Sequence, residues 1–448
     1  MTKWMAVWSL RLILLMVLLI GGLAGPAAAS RAVRVAPEDD LLALLADIPD
    51  NMLVIFEPGI YRLSLTLTGR RLFFEAPEGG VLIIPDGQPF VLRLEEGSEI
   101  ALDNIDLSSE APQTATVIVQ DATLDLVNVD ITNKEGPAIH ATGRIEVEGA
   151  RIEGRGMAAV RITGGDGAIL RGTEIVNAGG STGIVVQDSK AFLMDGGEVR
   201  GNTAVLAQRL TGRLELKRSL LLVTDKAGTA MLAENIPALD VMESALVGGK
   251  SALSGRMGNG DIWQVDTSLL AATGATVRLS GSVSADFRFD VSMAVSTGVD
   301  IDGVAFTSEG AGFVPLMESS LLLARGGSAL TIRQGASALV ARTVVASIAG
   351  SSLTLVAHDP ANLTLASSLL YPLPLASDLA AMAMDEETRR LGRADPDNSK
   401  KALATLMNEI VDALENRPPE TIESALALLE RYDIDFALLR DSLREKRP

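Results

Sequence analysis

Residues Val241–Leu246 read V-M-E-S-A-L, residues Val265–Leu270 read V-D-T-S-L-L, and residues Phe289–Ala294 read F-D-V-S-M-A. Each phrase has an apolar residue at its first and last places and a serine at its fourth, and each begins 24 residues after the one before. A period in this range is typical of a solenoid, in which every repeat packs on its neighbours. This repeat therefore predicts the fold before any single element is considered.

The phrase recurs through most of the chain. Its last apolar residue stands at positions 107, 131, 152, 175, 199, 221, 246, 270, 294, 321, 345 and 370, so each step is 21 to 27 residues. The fourth place is a hydroxyl residue at Thr173, Ser219, Ser244, Ser268, Ser292, Ser319, Thr343 and Ser368. Repeating positions become vertical neighbours in a solenoid, so we expect these side chains to stack beside a turn and to bond to the backbone. We interpret the stack as structural.

The residues inside each repeat indicate strands. Apolar and polar residues alternate in short runs, such as T-L-D-L at 123–126 and R-L-E-L at 213–216, and Gly, Asn and Asp separate the runs. The apolar spacing of helical repeats and the Leu/Asn frame of leucine-rich repeats are both missing. The sequence predicts an all-β solenoid: a right-handed parallel β-helix of about 12–14 coils, wound from a single chain, with a C-terminal α-helical segment.

Composition divides the chain into four parts. Residues 1–29 resemble a Sec signal peptide, with Lys3 and Arg11, an apolar run over 12–23, and cleavage expected near Ala29; an uncleaved membrane anchor is the alternative. Residues 30–53 should form an N-terminal cap with a short helix from Leu41, and residues 54–372 the β-helix. Residues 377–448 have a helical texture, with candidate helices at 377–393, 399–416, 420–431 and 434–446.

One outward position changes character along the chain. It lies just before the last apolar residue of each phrase, and it reads Asp106, Asp130, Arg151, Glu174 and Glu198, then Leu220, Ala245, Leu269, Met293, Ser320, Val344 and Leu369. The charged half is the candidate binding face. We expect the C-terminal helices to pack along the apolar half, because an 18-residue helix spans about 27 Å; an apolar strip that binds a partner protein is the alternative.

Charge and composition limit the partners. The formal net charge is −18, and loss of Lys3 and Arg11 would make it −20, which disfavours nucleic acid and, after signal cleavage, an anionic membrane. Aromatic residues are only 4% of the chain, which weakens a sugar-binding interpretation because carbohydrate clefts commonly stack sugars on Trp or Tyr. There is no cysteine for disulfides or a lipid anchor. We expect no cofactor and no metal, because no zinc spacing, calcium loop or nucleotide motif is present.

The stretch V-I-F-E-P-G-I-Y at 54–61 resembles the opening coil of the pectin-lyase-like superfamily of right-handed β-helices. With the repeats, the resemblance covers roughly residues 40–372, and it implies the fold more specifically than any activity. Enzymes of that superfamily act mainly on acidic polysaccharides, as lyases, hydrolases, esterases or epimerases. Their motifs are not matched here: the only Asp-Asp pair is Asp39-Asp40, and His358-Asp359-Pro360 is not the Asp-Pro-His-Asp of the alginate-epimerase-like members.

Two functions follow as predictions. The first is an exported, non-catalytic β-helix in the periplasm or outside the cell, which binds or scaffolds a polysaccharide or an envelope protein. The alternative is a divergent polysaccharide lyase or epimerase acting on an acidic glycan, with Arg151 and the acids of the same column as its site and His140, Arg155 and Arg171 on nearby faces. A solvated charged face without a ligand is the simpler interpretation of that column.

Overall fold

A computed structural model describes residues 32–348, 355–357, 359, 362–371 and 382–391. Each coil carries up to three short strands, which we call the a-, b- and c-strands in chain order. The a-strands are β2 (Met52–Phe56), β5 (Arg71–Glu75), β8 (Glu99–Asp103), β11 (Thr123–Val127), β14 (Arg144–Glu148), the first halves of β17 (Gly167–Asn177) and β19 (Phe192–Gly201), β21 (Arg213–Lys217), β24 (Ala238–Met242), β27 (Ile262–Asp266), β30 (Asp286–Asp290), β33 (Leu316–Glu318), β36 (Ala338–Ala341), β39 (Leu363–Ala366) and β41 (Ala383–Met384).

The b-strands follow the a-strands after a short corner. They are β3 (Gly59–Arg62), β6 (Val81–Ile84), β9 (Ile105–Ser109), β12 (Asp130–Asn133), β15 (Arg151–Gly154), the second halves of β17 and β19, β22 (Leu220–Val223), β25 (Ala245–Gly248), β28 (Leu269–Ala272), β31 (Met293–Ser296), β34 (Leu321–Ala324), β37 (Val344–Ser347) and β40 (Leu369–Tyr371). The a- and b-strands share one continuous sheet, which also contains β1 (Ala32–Val35).

The c-strands form a second sheet, in which 13 strands fall within the described residues. They are β4 (Leu65–Thr68), β7 (Leu92–Glu95), β10 (Val117–Val119), β13 (Ile139–Ala141), β16 (Ala158–Thr163), β18 (Thr182–Gln187), β20 (Thr203–Gln208), β23 (Thr229–Glu234), β26 (Ser251–Arg256), β29 (Val277–Ser280), β32 (Phe306–Glu309), β35 (Leu330–Arg333) and β38 (Leu355–Ala357).

Every described strand pair is parallel, and each strand pairs with its counterpart one coil away. Leu246 aligns with Leu270, for example, and Leu270 with Ala294, as the 24-residue repeat predicts. The chain is thus a parallel β-solenoid of about 14 turns, which confirms the predicted fold class. Inward residues of the three strands fill a continuous core, in which Trp263, Phe287 and Phe289 are fully buried.

The corner between a- and b-strands explains the serine and threonine repeat. The residue before the hydroxyl is in the left-handed region, with φ of 48° at Glu243 and 46° at Thr267. The hydroxyl then faces inward: Ser268 accepts a hydrogen bond from the Ser244 N–H of the preceding coil at 3.1 Å and donates one to the Asp266 carbonyl at 2.7 Å. The same pair of bonds recurs at each hydroxyl from Ser244 to Ser368, while Ser219 donates its hydroxyl to the Lys217 carbonyl and its N–H to Ser244. We call the buried residues from Ser219 to Ser368 the hydroxyl column.

The prediction that Ser319 belongs to the hydroxyl column was wrong by one residue. The Ser292 N–H donates to Ser320 Oγ at 3.2 Å, and Ser320 is fully buried. Ser319 instead occupies the left-handed corner with φ of 52°. The longer turn after β31 moves the strands that follow, so Met293 aligns with Leu321, which also replaces Ser320 in the predicted outward series.

The N-terminal segment already takes part in the solenoid. β1 pairs in parallel with β2, with Ala32 opposite Leu53, so strand pairing begins before residue 54. A helix, α1 (Leu41–Asp47), lies between these two strands, near the place where the sequence predicts one. The Asp40 side chain caps it by accepting the Ala43 N–H at 3.1 Å, and Leu41 and Leu45 are buried in the core cluster.

The described C-terminal part ends in a short helix, α2 (Glu386–Leu391). Its Thr388 is fully buried and accepts the Ser368 N–H at 3.0 Å, so α2 supplies the last member of the hydroxyl column. Asp385 accepts the N–H groups of Thr388 and Ser367, both at 2.8 Å. Residues 383–384 are a strand, so the helix predicted over 377–393 is helical only from Glu386 within the described residues. The other three candidate helices, and the signal peptide, lie outside the described residues.

Candidate functional site

Five charged side chains follow one another along the outside of successive b-strands, and we call them the charged column. They are contributed by β9, β12, β15, β17 and β19: Asp106, Asp130, Arg151, Glu174 and Glu198. Parallel register aligns each with the next, as in Asp130 with Arg151 and Arg151 with Glu174. The neighbouring inward residues, such as Ile152, are fully buried, so strand alternation points the charged residues outward. At the usual strand spacing, the column is about 19 Å long.

Arg151 is the only cation in the charged column and stands at its centre. Its guanidinium lies 3.5 Å from the Glu174 carboxylate and 3.7 Å from that of Glu153, and its side chain is 54% exposed. Exposed ion pairs of this kind contribute about 0–1 kcal/mol to stability. The pairs therefore hold the groups in place weakly enough for a ligand to replace one partner.

The two acids that begin the column interact through the backbone. The Asp130 N–H donates to Asp106 Oδ1 at 3.2 Å. Burial raises the pKa of the Asp106 carboxyl; the hydrogen bond from Asp130 opposes this increase, and the negative charge of Asp130 adds to it. The surroundings of Asp106 therefore favour its protonated form.

A second outward line, which the sequence analysis missed, runs beside the charged column two residues further along each b-strand. It consists of Ser108, Thr132, Glu153, Val176 and Arg200, which are half-buried. Arg200 contacts Glu198, as Glu153 contacts Arg151. The signal was present in the sequence, because side chains of a strand reach the same face with a period of two. The candidate face is thus two residues wide.

A depression of about 290 Å³, lined mainly by apolar residues with charged residues among them, lies on the neighbouring a-strands and turns. Its charged lining comes from three coils: Arg144, Asp166, Arg213 and Glu215. The predicted neighbour Arg171 lies close by on the a-half of β17, 3.8 Å from Glu146, which also contacts Arg144. Each of these cations already has an acidic partner, so the depression has mixed charge.

A larger open depression, of about 490 Å³, lies at the end of the c-strands near Arg256, Ser280 and Glu309. No feature of the repeat singled out these residues. They lie on a different sheet from the charged column, so they do not extend that face.

The predicted histidine is not brought to the charged column. His140 lies on β13 in the c-sheet, where its Nε2 is 3.4 Å from Thr163 Oγ1. Burial lowers the pKa of His140, and the nearby Arg161 lowers it further, so the neutral imidazole is favoured. Arg155 follows β15 in an exposed turn, and His358 lies outside the described residues.

The part of the chain that the structure describes contains no group of three or more acidic, histidine or cysteine side chains arranged to hold a metal ion. Within the same ranges, no helix has both the length and the apolar character needed to cross a bilayer.

The described residues form a parallel β-solenoid, the architecture that the resemblance in the sequence implies. No protein-family model and no curated protein matches the chain. Among solved structures, it is similar to the A-module of the mannuronan C-5 epimerase AlgE4 from Azotobacter vinelandii, with 12% identity, a TM-score of 0.31, and coverage of 71% of this chain and 86% of that one.

A second similar structure is a mannuronic acid specific polysaccharide family 6 lyase from human gut microbiota. It shares 9% identity at a TM-score of 0.28, over 90% of this chain and 99% of that one. At such identities and scores, neither neighbour supports an argument about activity.

Proposed function

We propose that this protein is an exported, non-catalytic β-helix that binds a polysaccharide along the charged column. The observation that carries the proposal is the continuous register of five charged side chains on the outside of five successive coils. Carboxylates accept hydrogen bonds from sugar hydroxyls and a guanidinium donates them, and charge-assisted bonds of this type are the stronger ones. A straight, solvent-facing line of such groups fits an extended chain with repeating hydroxyls better than it fits a compact ligand.

Two features favour binding over catalysis at this face. His140, the histidine predicted closest to the site, points outward from the other sheet, and Arg151 is held between two carboxylates rather than beside a free acid–base pair. Export rests on the predicted signal peptide and would place the face in the periplasm or outside the cell, where polysaccharides are accessible.

The test is direct binding of polysaccharides to the chain without residues 1–29. A glycan array selects the ligand, and calorimetry then compares the wild type with Arg151→Ala. Arg288→Ala is the matched control, because Arg288 is equally exposed, pairs with Asp286, and lies on an a-strand far along the rod. Loss of a charge-assisted hydrogen bond worth about 1.5–3 kcal/mol should weaken binding roughly 10- to 100-fold in Arg151→Ala and not in the control.

Two results would reject this proposal. The first is that no polysaccharide binds, or that both arginine variants bind equally well. The second is enzymatic activity: new double bonds or altered stereochemistry in uronate polymers, lost in Arg151→Ala, would establish the lyase or epimerase alternative instead.

A further inference from the structure

The outward position of the b-strands continues beyond the charged column, but its chemistry changes at β22. Register runs without a break from Glu198 to Leu220 and onward through the remaining coils. The residues at this position form what we call the apolar column: Leu220, Ala245, Leu269, Met293, Leu321, Val344 and Leu369. The surface that carries charge in the N-terminal half therefore carries hydrocarbon in the C-terminal half.

All of these side chains except Leu369, which is half-buried, are buried although they point away from the core. Leu220 and Leu269 are each 1% exposed and Met293 is 3% exposed. None of the three belongs to the core cluster, which contains their inward neighbours instead. The second outward line behaves in the same way: Ala271, Val295, Leu323 and Ala346 are all 0% exposed. A side chain on the outside of a tube is so well buried only when another part of the chain lies over it.

The described strands and helices do not supply this cover. The b-strands from β22 to β37 pack on strands of their own and neighbouring coils, and α2 packs on β39 and β40 at the end of the stack. The stretches 349–354 and 372–381 contain six and ten residues, and both ends of each are tethered to described parts of the chain. At about 3.5 Å per residue, neither can run along the whole apolar column and return. Residues 1–31 precede β1, which pairs with β2 at the opposite end of the stack.

We propose that residues 392–448 lie along the apolar column and bury it. α2 ends at Leu391 against the last b-strand, held there by Thr388 and Asp385, so the segment begins at the correct end. Its apolar residues Ala402, Leu403, Leu406, Met407, Ile410 and Leu414 follow three–four spacing, which gives a helix one apolar face. A helix over 399–416 would be about 27 Å long, and the apolar column, with six strand intervals, is about 29 Å long.

The absence of cysteine from the sequence allows a clean test in the full chain. A single cysteine is introduced at Ala271→Cys, on the covered face, or at Ser108→Cys, at the corresponding outward place beside the charged column. Thiol labelling should be roughly a hundredfold slower at position 271 than at 108, because the reagent reaches a covered side chain only during rare local opening.

The identity of the cover is tested by a second substitution in the Ala271→Cys chain. Leu406→Asp places a charge on the apolar stripe and should restore fast labelling, whereas Asn408→Asp, on the opposite side of the same predicted helix, should not. Ser108→Cys with Leu406→Asp shows whether the solenoid stays folded, since its labelling rate and its strand hydrogen exchange should not change.

Three outcomes would overturn the proposal. Fast labelling of position 271 in the otherwise unaltered chain would mean that the face is open and free for a partner protein. Slow labelling that Leu406→Asp leaves unchanged would mean that another segment forms the cover. Slow labelling that becomes faster on dilution of the protein would mean that a second copy of the chain covers the face.

Discussion

Removing one hydroxyl from the hydroxyl column should weaken two coils at once. Ser268 is buried, accepts the Ser244 N–H of the preceding coil at 3.1 Å, and donates to the Asp266 carbonyl of its own coil at 2.7 Å. Ser268→Ala removes both bonds and introduces no new bulk. The Ser244 N–H is then left without its acceptor, away from water.

The expected cost follows from that orphaned donor. A buried polar group without a partner costs about 1–3 kcal/mol. Taking about 2 kcal/mol, amide exchange at Ser244 and in the adjoining b-strands should become roughly thirtyfold faster. Native-state hydrogen exchange is the appropriate assay, because a solenoid opens coil by coil and a single unfolding midpoint would average over the whole rod.

Two further variants make the result specific. Ser268→Thr should behave like the wild type, because Thr343 already occupies the corresponding corner and makes the same bonds. Ser254→Ala, on the outer side of a c-strand, should change stability by less than about 0.5 kcal/mol. If the Ser244 amide exchanged no faster in Ser268→Ala than in Ser254→Ala, the hydroxyl column would not stabilise the corner as described.

Two other predictions concern the corners and the charged column. Val291 is β-branched and 38% exposed, yet it has φ of 45°, at a corner where earlier coils use Asn104 and Asn128. Val291→Asn should stabilise this corner by about 1 kcal/mol, seen as slower native-state amide exchange in the adjoining strands than in Val291→Ala. Asp106 has a raised pKa in the folded state, so its charge disfavours folding once the pH exceeds that pKa. Asp106→Asn should therefore make β9 and β12 more stable near pH 7 in native-state hydrogen exchange, and the difference should vanish below about pH 3.9, where the unfolded-state carboxyl is also protonated; an equal difference at both pH values would contradict this reasoning.

The sequence predicted the solenoid because every coil has to make the same tight corner between its a- and b-strands, and only a few residue types fit there. The left-handed corner recurs after every a-strand from β8 to β39, and a small hydroxyl is well suited to the inward place beside it, so the same residue types recur at this place from coil to coil. The prediction failed at Ser319 because a longer turn precedes it and serines occupy both 319 and 320. Only the hydrogen bond from the Ser292 N–H decides between them.

The candidate site was less predictable than the fold. The period placed Arg151 between Asp130 and Glu174, because vertical neighbours follow directly from the repeat. Contacts across the face depend on side-chain conformation, so the pairing of Arg151 with Glu153 was not foreseen. The position of His140 depended on turn lengths, which vary from coil to coil and which no period reveals.

The hydrogen bonds of the hydroxyl column all run the same way: each backbone N–H donates to a hydroxyl of the next coil, which the ribosome makes later. From Ser219 onward, each backbone donor in it is satisfied by an oxygen that emerges later, and the final one, at Ser368, is satisfied by Thr388. A nascent chain that stopped after any of these coils would have, in its last coil, one backbone N–H without its hydrogen-bond acceptor. Shortening the protein from its carboxyl end should therefore always damage the last turn that remains, whichever turn that is.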